Sequence, residues 1–477
     1  MDVTGDDGAV LTPLGPVPEL EGAKSDFKKT IKWRDGFVLV GFGMCGFMII
    51  SIGPAIAALG ALPTAFAFGA SVVLGAIQAR VLTELAVAHP DKSGGLGIYA
   101  NEGFRVYRGL KWVGPLATFG YWFAWSSSMG VELLLAGQYV QATILPGLDP
   151  RVFATIGLFA LWIANLLGLR PGVWIGYAFG TLTVIPLTLL ILFSIPHIHL
   201  SFLTEVPGHT NFLSVAGLGL LLFWGFIAGY GTYSAEVNAT LAPEFHDTEK
   251  DTPKAIMASA IFAIPYYILV PIALTGVVGV SVISTQTYTA FVPVFQSVIG
   301  NGATAVVVTM LVAALVLGAD IGTIDGSRAL NQMSRDHLTI KFLGHLNRRG
   351  VPDRAMSVDL LLNLLLVWLF GQPLFIVVAG NLGYFLGWIA CLIAFLLLRR
   401  HSPNLRRPIK LRNYWIPIVW GLIIINTLMV VFGAPQYGWV PLLAGAGVLV
   451  LSLVLFFIRT KVEDRPIAPS HPQQSTL

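Results

Sequence analysis

One acidic residue stands inside an apolar stretch of the sequence, at helical spacing from three residues that could act with it. Tyr121, Trp125, Ser128 and Glu132 are four, three and four positions apart, so a helix would place them on one face. A carboxyl group buried in hydrocarbon costs several kcal/mol and commonly marks a substrate or ion pathway. The alternative is an aromatic packing stripe in which Glu132 is bonded to a neighbour near the outer end of its helix.

A second apolar stretch contains Asp320 and Asp325. Five positions in a helix turn the second side chain about 140° away from the first, so at most one of the two can face a substrate. We expect the deeper Asp320 to do so. Asp325 is three positions before Arg328 and is predicted to pair with it.

Two more acids stand at the ends of apolar stretches and are candidates for coupling or gating. Glu84 follows Arg80 by four positions and is predicted to pair with it, in a gating or structural role. Glu236 closes another stretch, where an exposed carboxylate at a helix end is the simpler interpretation.

Glycine interrupts two of the apolar stretches, at 41–46 (GFGMCG) and 50–54 (ISIGP) in one and at 225–231 (GFIAGYG) in the other. Glycine and proline weaken a helix. Unpaired backbone in a membrane is tolerated only where it is buried in protein or lines a cavity. The breaks therefore favour a substrate site, with close helix packing as the alternative.

Side chains beside these breaks could contribute to such a site. Phe226, Tyr230 and Tyr233 offer rings that could close over a substrate or hold a cation, or that simply pack. Ser51 is the hydroxyl of the first break, and it could cap freed backbone or touch the ligand.

The composition is that of a polytopic membrane protein. Of 477 residues, 11% are charged and 55% are hydrophobic, whereas a soluble protein carries about 25% charged residues. A cytosolic enzyme or a nucleic-acid-binding protein is therefore excluded. Stretches long enough to cross a bilayer define segments 1 to 12, which run over 37–60, 62–86, 113–145, 152–169, 172–196, 212–235, 255–281, 302–326, 355–371, 374–398, 414–434 and 438–458.

The basic residues set the orientation of these segments. With both termini in the cytoplasm, 28 of the 29 lysines and arginines fall on the cytoplasmic side and only Arg151 falls outside. This is the bias expected of short loops in the plasma membrane. We predict two disordered cytoplasmic tails, at 1–35 and 461–477, and no cleaved signal peptide.

The two glycine-interrupted segments are the first and the sixth, which indicates an internal repeat. A repeat of five membrane crossings is inverted relative to its copy, and paired broken helices in corresponding positions point to a transport site. We predict a first repeat over 36–200, an inverted second repeat over 201–400, and two appended helices over 401–460.

The sequence contains none of the motifs HExxH, CxxC, GxSxG or the P-loop. We therefore expect no enzymatic activity, no metal, no cofactor and no ATP hydrolysis. Cys45 and Cys391 lie in apolar segments and are interpreted as buried free thiols.

Four short motifs, in order along the chain, resemble those of the amino acid–polyamine–organocation (APC) superfamily. They are ELAVAHP at 84–90 with SGG at 93–95 and Tyr99, DTPKAI at 251–256, SR at 327–328 with RD at 335–336, and LRR at 398–400 with RPIK at 407–410. The resemblance covers about 36–460. It implies a LeuT-type fold, all-α, in which five plus five inverted helices are followed by two more and the substrate lies among segments 1, 3, 6, 8 and 10.

The resemblance also implies how a substrate is held, and two departures qualify it. In the family, broken segment 1 presents backbone N–H groups to a carboxylate, and broken segment 6 receives the amino group on carbonyl oxygens. Here the bulky residues Phe47, Met48 and Ile49 replace the family's glycines. Some proton-coupled members carry a lysine in segment 5, and here Pro186 stands near that place.

The leading hypothesis is a secondary transporter of amino acids or related amines, a monomer or homodimer, working by alternating access with H⁺ or Na⁺ as the open choice of coupling ion. One rival is a transporter of polyamines or other organocations that lack a carboxylate, which Glu132 and Asp320 favour. Others are a non-transporting nutrient sensor and a channel. The predicted substrate-binding residues are Met48, Ile49, Ile50, Ser51, Gly53, Trp125, Phe226, Ala228, Gly229, Tyr230 and Asp320, and the coupling or gating candidates are Glu84, Glu132, Tyr233 and Glu236.

Overall fold

The computed structural model describes residues 28–464, and these residues are almost entirely helical. Within this range the single β-type contact is an isolated bridge between Ile31 and Phe245. The predicted tails lie largely outside the described residues. Their described ends are ordered, because Ile31 is buried against the rest of the protein and helical structure continues to Glu463.

Helices are found at each of the twelve predicted segments. Segment 1 is divided into Phe37–Gly41, Phe42–Phe47, Met48–Ile50 and Ile52–Leu59. The other segments, in chain order, are the helices Ala61–Ala88, Val113–Thr143, Pro150–Asn165, Leu169–Ser194, Val215–Thr232, Thr248–Thr285, Phe291–Arg335, Asp353–Leu369, Pro373–His401, Trp415–Leu428 and Trp439–Ile458.

Nine helices of the described chain are long and apolar enough to cross a membrane. Pro150–Asn165 is a shorter apolar helix. Segments 3 and 9 form helices outside that set: the 31 residues of segment 3 include three consecutive serines and Glu132, and segment 9 has 17 residues. The protein is thus a multi-pass membrane protein, and the count of twelve crossings stays a prediction.

Two short turns separate neighbouring helices that the sequence divides only weakly. The break after segment 1 falls at Gly60, whose φ is +83°. It does not fall at Pro63, because Pro63 lies in the first turn of the next helix, where its missing N–H removes no helical hydrogen bond. The break between segments 9 and 10 falls at Gly371, with φ +63°, and Pro373 begins the next helix.

Segment 3 occupies the centre of the bundle. It packs along segments 8 and 10, and most of its residues from Gly114 to Gly137 are buried. A short buried helix, Gly95–Phe104, lies against segments 3 and 10 and carries Tyr99 of the predicted GG–Tyr motif. Segment 3 is therefore the element against which the other parts of a central site can be assembled.

Gly53 is the glycine of segment 1 at which the chain comes closest to another backbone. A Cβ atom on Gly53 would overlap the carbonyl oxygen of Thr287. Thr287 belongs to the turn Thr287–Thr289 between segments 7 and 8. Neither backbone can move away easily, so this contact requires glycine.

We expect Gly53→Ala to destabilise the protein by about 3 kcal/mol, the upper end of the usual cost of overpacking. Gly421→Ala is the matched control, because Gly421 lies in the helix of segment 11 and a Cβ there would meet nothing within 4 Å. The control should be neutral or slightly stabilising, since alanine favours a helix. Thermal unfolding of both variants in detergent measures the difference, and equal midpoints would contradict the predicted overlap.

Candidate functional site

Segment 1 loses its regular helix at Met48–Ile50, which form a short 3₁₀ turn. Ser51 follows with φ −112° and ψ −17°, and its side chain does not cap the helix Ile52–Leu59 that begins after it. Four of the predicted binding residues, Met48, Ile49, Ile50 and Ser51, lie in this irregular stretch and are buried. The GFGMCG sequence before it is helical.

Segment 6 is regular through its glycine-rich stretch, contrary to the break predicted within 225–231. The helix Val215–Thr232 ends at Tyr233 and is followed by a 3₁₀ turn at Ser234–Glu236. The glycines instead allow close packing: a Cβ on Gly229 would overlap the ring of Phe385, and one on Gly231 would overlap the hydroxyl of Tyr267. The irregularity therefore falls a few residues after the glycines.

Three aromatic rings from segments 1, 3 and 6 form the centre of the candidate site. The Phe47 ring lies 5.4 Å from the Trp125 ring and 5.3 Å from the Tyr230 ring, and the last two are 5.7 Å apart, centroid to centroid. We call Phe47, Trp125 and Tyr230 the aromatic trio. All three side chains are buried, so in this conformation the rings close the space between the three segments.

Glu132 borders the aromatic trio from segment 3. The hydroxyl of Tyr230 donates to its Oε1 at 3.3 Å. From segment 8, a Cβ on Gly318 would lie 2.9 Å from Glu132 Cδ and 3.1 Å from the Phe47 ring. Segments 1, 3, 6 and 8 thus meet at one point around this carboxyl group.

Glu236 bonds Trp125 of the trio and is completely buried, with 0% of its surface exposed. The prediction of an exposed carboxylate at a helix end is therefore wrong. Its oxygens accept hydrogen bonds from Tyr121 Oη at 2.8 Å, Trp125 Nε1 at 3.0 Å and Tyr384 Oη at 2.9 Å. Tyr384 belongs to segment 10, so Glu236 joins segments 3, 6 and 10.

Asp325 of segment 8 shares the hydroxyl of Tyr121 with Glu236. The distance from Tyr121 Oη to Asp325 Oδ1 is 3.0 Å. Two carboxyl groups from segments 6 and 8 therefore meet across one phenol oxygen of segment 3. We call Glu236 and Asp325 the carboxyl pair, and we call Tyr121 its bridge.

Asp320 faces away from these groups. Its Oδ1 accepts a 2.6 Å hydrogen bond from Asn165 at the end of segment 4. The angular separation of Asp320 and Asp325 is as expected, but Asp325 is the one that points toward segments 3 and 6. The depth of each acid along segment 8 did not predict which way its side chain points, because that direction depends on how segment 8 packs between segments 3 and 4.

Phe226 and Tyr233 of segment 6 pack against segment 10. Phe226 and Tyr233 contact the ring of Phe385 at 4.8 and 5.4 Å. The carbonyl oxygen of Phe226 accepts a 2.8 Å hydrogen bond from Asn381. These two rings are thus separate from the aromatic trio.

A further buried acid, Asp359 of segment 9, was missed by the sequence reasoning. Trp122 and Ser126 of segment 3 donate to its Oδ1 at 2.7 and 2.8 Å. Asn363, one turn later, bonds the backbone of the same part of segment 3. An acid within an apolar segment was the available signal, and its contacts indicate a structural role.

Glu84 pairs with segment 10 and the loop after it. Arg399 donates to Glu84 Oε2 at 2.6 Å and to Oε1 at 3.2 Å, and Leu411 N donates to Oε2 at 2.7 Å. Arg407 lies 3.3 Å from the same carboxylate. The predicted partner Arg80 instead donates to Thr83. Two of the four sequence motifs, at 84–90 and 398–410, therefore meet in one ionic contact.

Two more ionic contacts connect the predicted cytoplasmic ends of the helices. Arg328 pairs with Glu244 at 2.6 Å, an acid that the sequence reasoning did not single out. Lys92 pairs with Asp336 at 2.6 Å. Burial raises the pKa of Asp336, and the nearby Lys92 ammonium opposes the rise.

Comparison with known proteins identifies the family of this chain. The family described as amino acid permease matches residues 31–457. Amino-acid permease RocE from Bacillus subtilis (strain 168) is 24% identical over 404 residues, which are 79% of this chain and 82% of that protein. Lysine-specific permease LysP from Lactococcus lactis subsp. cremoris (strain MG1363) is 24% identical over 409 residues, 78% and 77% of the two chains.

A third relative is the D-serine/D-alanine/glycine transporter from Escherichia coli (strain K12). It is 22% identical over 309 residues, 62% of this chain and 65% of that protein. The family match covers nearly all of the described residues and confirms the resemblance to the APC superfamily. The chain therefore belongs to the amino acid permease family of multi-pass membrane proteins.

Proposed function

We propose that this permease moves amino acids across the plasma membrane by alternating access, with twelve crossings, both termini cytoplasmic, and two inverted repeats of five. The observation that carries the proposal is the meeting of segments 1, 3, 6 and 8 at the aromatic trio and Glu132. Buried polar groups converging with aromatic side chains between membrane helices are typical of a small-molecule site.

The carboxylate of the substrate would bind beside the irregular stretch of segment 1. The helix Ile52–Leu59 begins there, and no side chain caps its N-terminus. The first N–H groups of a helix lack internal partners, and together with the helix dipole they attract anions. In this proposal Ser51 and Ile50 contact the substrate, whereas Gly53 serves the packing against Thr287.

Transport by the proposed cycle is coupled to protons, because the carboxyl pair and its bridge need one hydrogen more than the phenol can supply. Tyr121 Oη lies within hydrogen-bond distance of both Glu236 Oε2 and Asp325 Oδ1. A phenol has one hydrogen to donate. Two full hydrogen bonds therefore require a second hydrogen, carried by one of the two carboxyl groups.

The groups that surround the pair come from six elements, because Asp359 of segment 9 is also close enough to interact electrostatically with Asp325. Segment 3 contributes Tyr121 and the Trp125 N–H, and segment 10 contributes Tyr384. On segment 8, Arg328 is near Asp325 but forms an ion pair with Glu244, which follows segment 6. Cys391 of segment 10 and Tyr99 of the short helix are the other titratable groups near Glu236. A proton gained or lost by the pair would thus change the charge and the hydrogen bonds between segments 3, 6, 8 and 10 together.

The test is uptake into proteoliposomes, with amino acids, their decarboxylated amines and an imposed pH or Na⁺ gradient. We expect saturable uptake of amino acids that is stimulated by amino acid on the opposite side and driven by a pH gradient. Uptake of amines alone would contradict the amino-acid proposal. It would favour the second candidate, a transporter of amines that lack a carboxylate, which the bulky Phe47–Ile49 stretch supports. Uptake driven by Na⁺ alone would contradict proton coupling, and a lack of any uptake would favour a sensor.

A further inference from the structure

Glu132 has weaker hydrogen bonding than the other buried acids of the bundle. It is 0% exposed. Its Oε1 receives only the 3.3 Å bond from Tyr230, and its Oε2 has no hydrogen-bond partner among the described residues. By contrast, Glu236 accepts bonds from three donors. One oxygen also lacks a partner in three other buried acids, but their second oxygen accepts a bond of 3.0 Å or less: Asp320, Asp325 and Asp359. A buried carboxylate that is so poorly satisfied is costly, and a cation is the partner that compensates it best.

The neighbouring helices bring glycine and aromatic residues to this carboxylate. Segment 8 meets Glu132 at Gly318. The first basic residue after it on that segment, Arg328, is ten positions farther, about 15 Å along a helix, and it pairs with Glu244. The cation that would satisfy Glu132 is therefore expected to arrive from outside the protein.

The aromatic trio makes the surroundings of Glu132 suitable for an organic cation. Tyr230 connects the two directly, because its hydroxyl bonds Glu132 while its ring contacts Phe47 and Trp125. Positive groups such as ammonium and guanidinium are attracted to aromatic faces, and more strongly where water is excluded. A carboxylate beside three such rings combines charge pairing with cation–π attraction.

The position of Glu132 indicates which positive group of an amino acid it would receive. The proposed carboxylate site lies at Met48–Ser51 of segment 1, and the α-amino group stays within one carbon of the carboxylate. The Phe47 ring extends from the start of that stretch to the point at Gly318 where Glu132 also lies. A group that reaches Glu132 past this ring belongs to the far end of a long side chain.

We infer that Glu132 is the counter-ion of a positively charged side chain of the substrate, and that the permease therefore selects basic over neutral amino acids. This inference rests on the proposed function, since it concerns the same site. The ligand class is an α-amino acid with a terminal ammonium or guanidinium group.

The experiment compares matched pairs of substrates by exchange in proteoliposomes. Lysine and norleucine differ by the terminal ammonium, and arginine and citrulline differ by the charge of the terminal group. We expect lysine and arginine to exchange at least tenfold faster than their neutral partners. In Glu132→Gln this selectivity should fall at least tenfold, while Glu132→Asp should keep the preference for the charged member of each pair.

Asp359→Asn is the matched control, because Asp359 is an equally buried acid that bonds segment 3 away from the trio. It should leave the selectivity unchanged. Thermal unfolding of each variant, with and without lysine, shows whether the variant is folded and whether it binds lysine. Stabilisation by lysine but not by norleucine is expected for the unmodified protein and should be absent from Glu132→Gln.

The outcomes separate this inference from the proposed function. Equal exchange of charged and neutral partners, or unchanged selectivity in a folded Glu132→Gln, would overturn the inference and leave amino-acid transport intact. Exchange of cadaverine, the decarboxylated lysine, without exchange of lysine would support the cation site and overturn the amino-acid proposal. If none of lysine, norleucine and cadaverine exchanges, both the inference about Glu132 and the proposed function are wrong.

Discussion

Proteoliposomes that contain the Glu236→Gln variant should exchange substrate yet fail to accumulate it against its gradient. The amide oxygen of glutamine can still accept the bonds from Trp125 and Tyr384, and its NH₂ group can donate to the oxygen of Tyr121. Tyr121 would then donate its hydrogen to Asp325. The hydrogen bonds are all retained, but the exchangeable proton of the carboxyl pair is lost.

The size of the effect follows from the gradient that is used. One pH unit is worth about 1.4 kcal/mol per proton, which supports about tenfold accumulation when one proton accompanies each substrate. With the unmodified protein we expect this accumulation, and with Glu236→Gln the substrate should only equilibrate. Asp325→Asn should behave in the same way, because it removes the other carboxyl group of the pair.

Asp359→Asn is the control here also, since it removes a buried carboxylate that bonds Trp122 and Ser126 and not the carboxyl pair. It should accumulate substrate normally. Normal accumulation by Glu236→Gln would contradict the proton proposal. So would a Glu236→Gln protein that is folded but has lost exchange as well, because Glu236 would then be needed for movement of the substrate itself.

The helices of this protein could be predicted from the sequence, because apolar runs and the distribution of lysine and arginine are local signals. The motifs that resemble the APC superfamily are likewise local, and the family they indicate is confirmed. The break in segment 1 also lies close to where proline and serine indicated it, at Met48–Ser51.

The partners of the buried acids could not be predicted in this way. Glu236 meets Tyr384 across 148 positions of the sequence, and Glu84 meets Arg399 across 315. Nearby residues such as Arg80 offered plausible partners at helical spacing, but the packing of segments 2 and 10 brought better ones. Which of Asp320 and Asp325 points toward segments 3 and 6 could not be predicted for the same reason, since it depends on the rotation of one helix among its neighbours.

The largest change in stability is expected for Glu84→Ala. The carboxylate is 1% exposed and holds Arg399, Arg407 and the N–H of Leu411 at the predicted cytoplasmic end of the bundle. Its removal leaves two guanidinium groups without their counter-ion, and breaking a buried pair in this way costs about 3–5 kcal/mol. Thermal unfolding in detergent should show a much lower midpoint.

Lys250→Ala supplies the comparison, because Lys250 pairs with Asp247 at 3.0 Å but the two side chains are 74% and 46% exposed. An exposed pair is screened by water and contributes little to stability, so this variant should unfold almost normally. If the two variants are destabilised equally, the conclusion that the Glu84 contact is buried is wrong.

The double variant Glu84→Gln with Arg399→Gln decides between the structural and the gating role predicted for Glu84. Replacing both charges leaves Arg407 as the one guanidinium without its counter-ion instead of two, so part of the stability lost in Glu84→Ala should return. If the contact only holds segments 2 and 10 together, exchange of substrate should return with it. If the contact must instead open and close as the site faces each side of the membrane in turn, the double variant should be stable and yet remain defective in exchange, because the closed state has lost the ion pair that favours it.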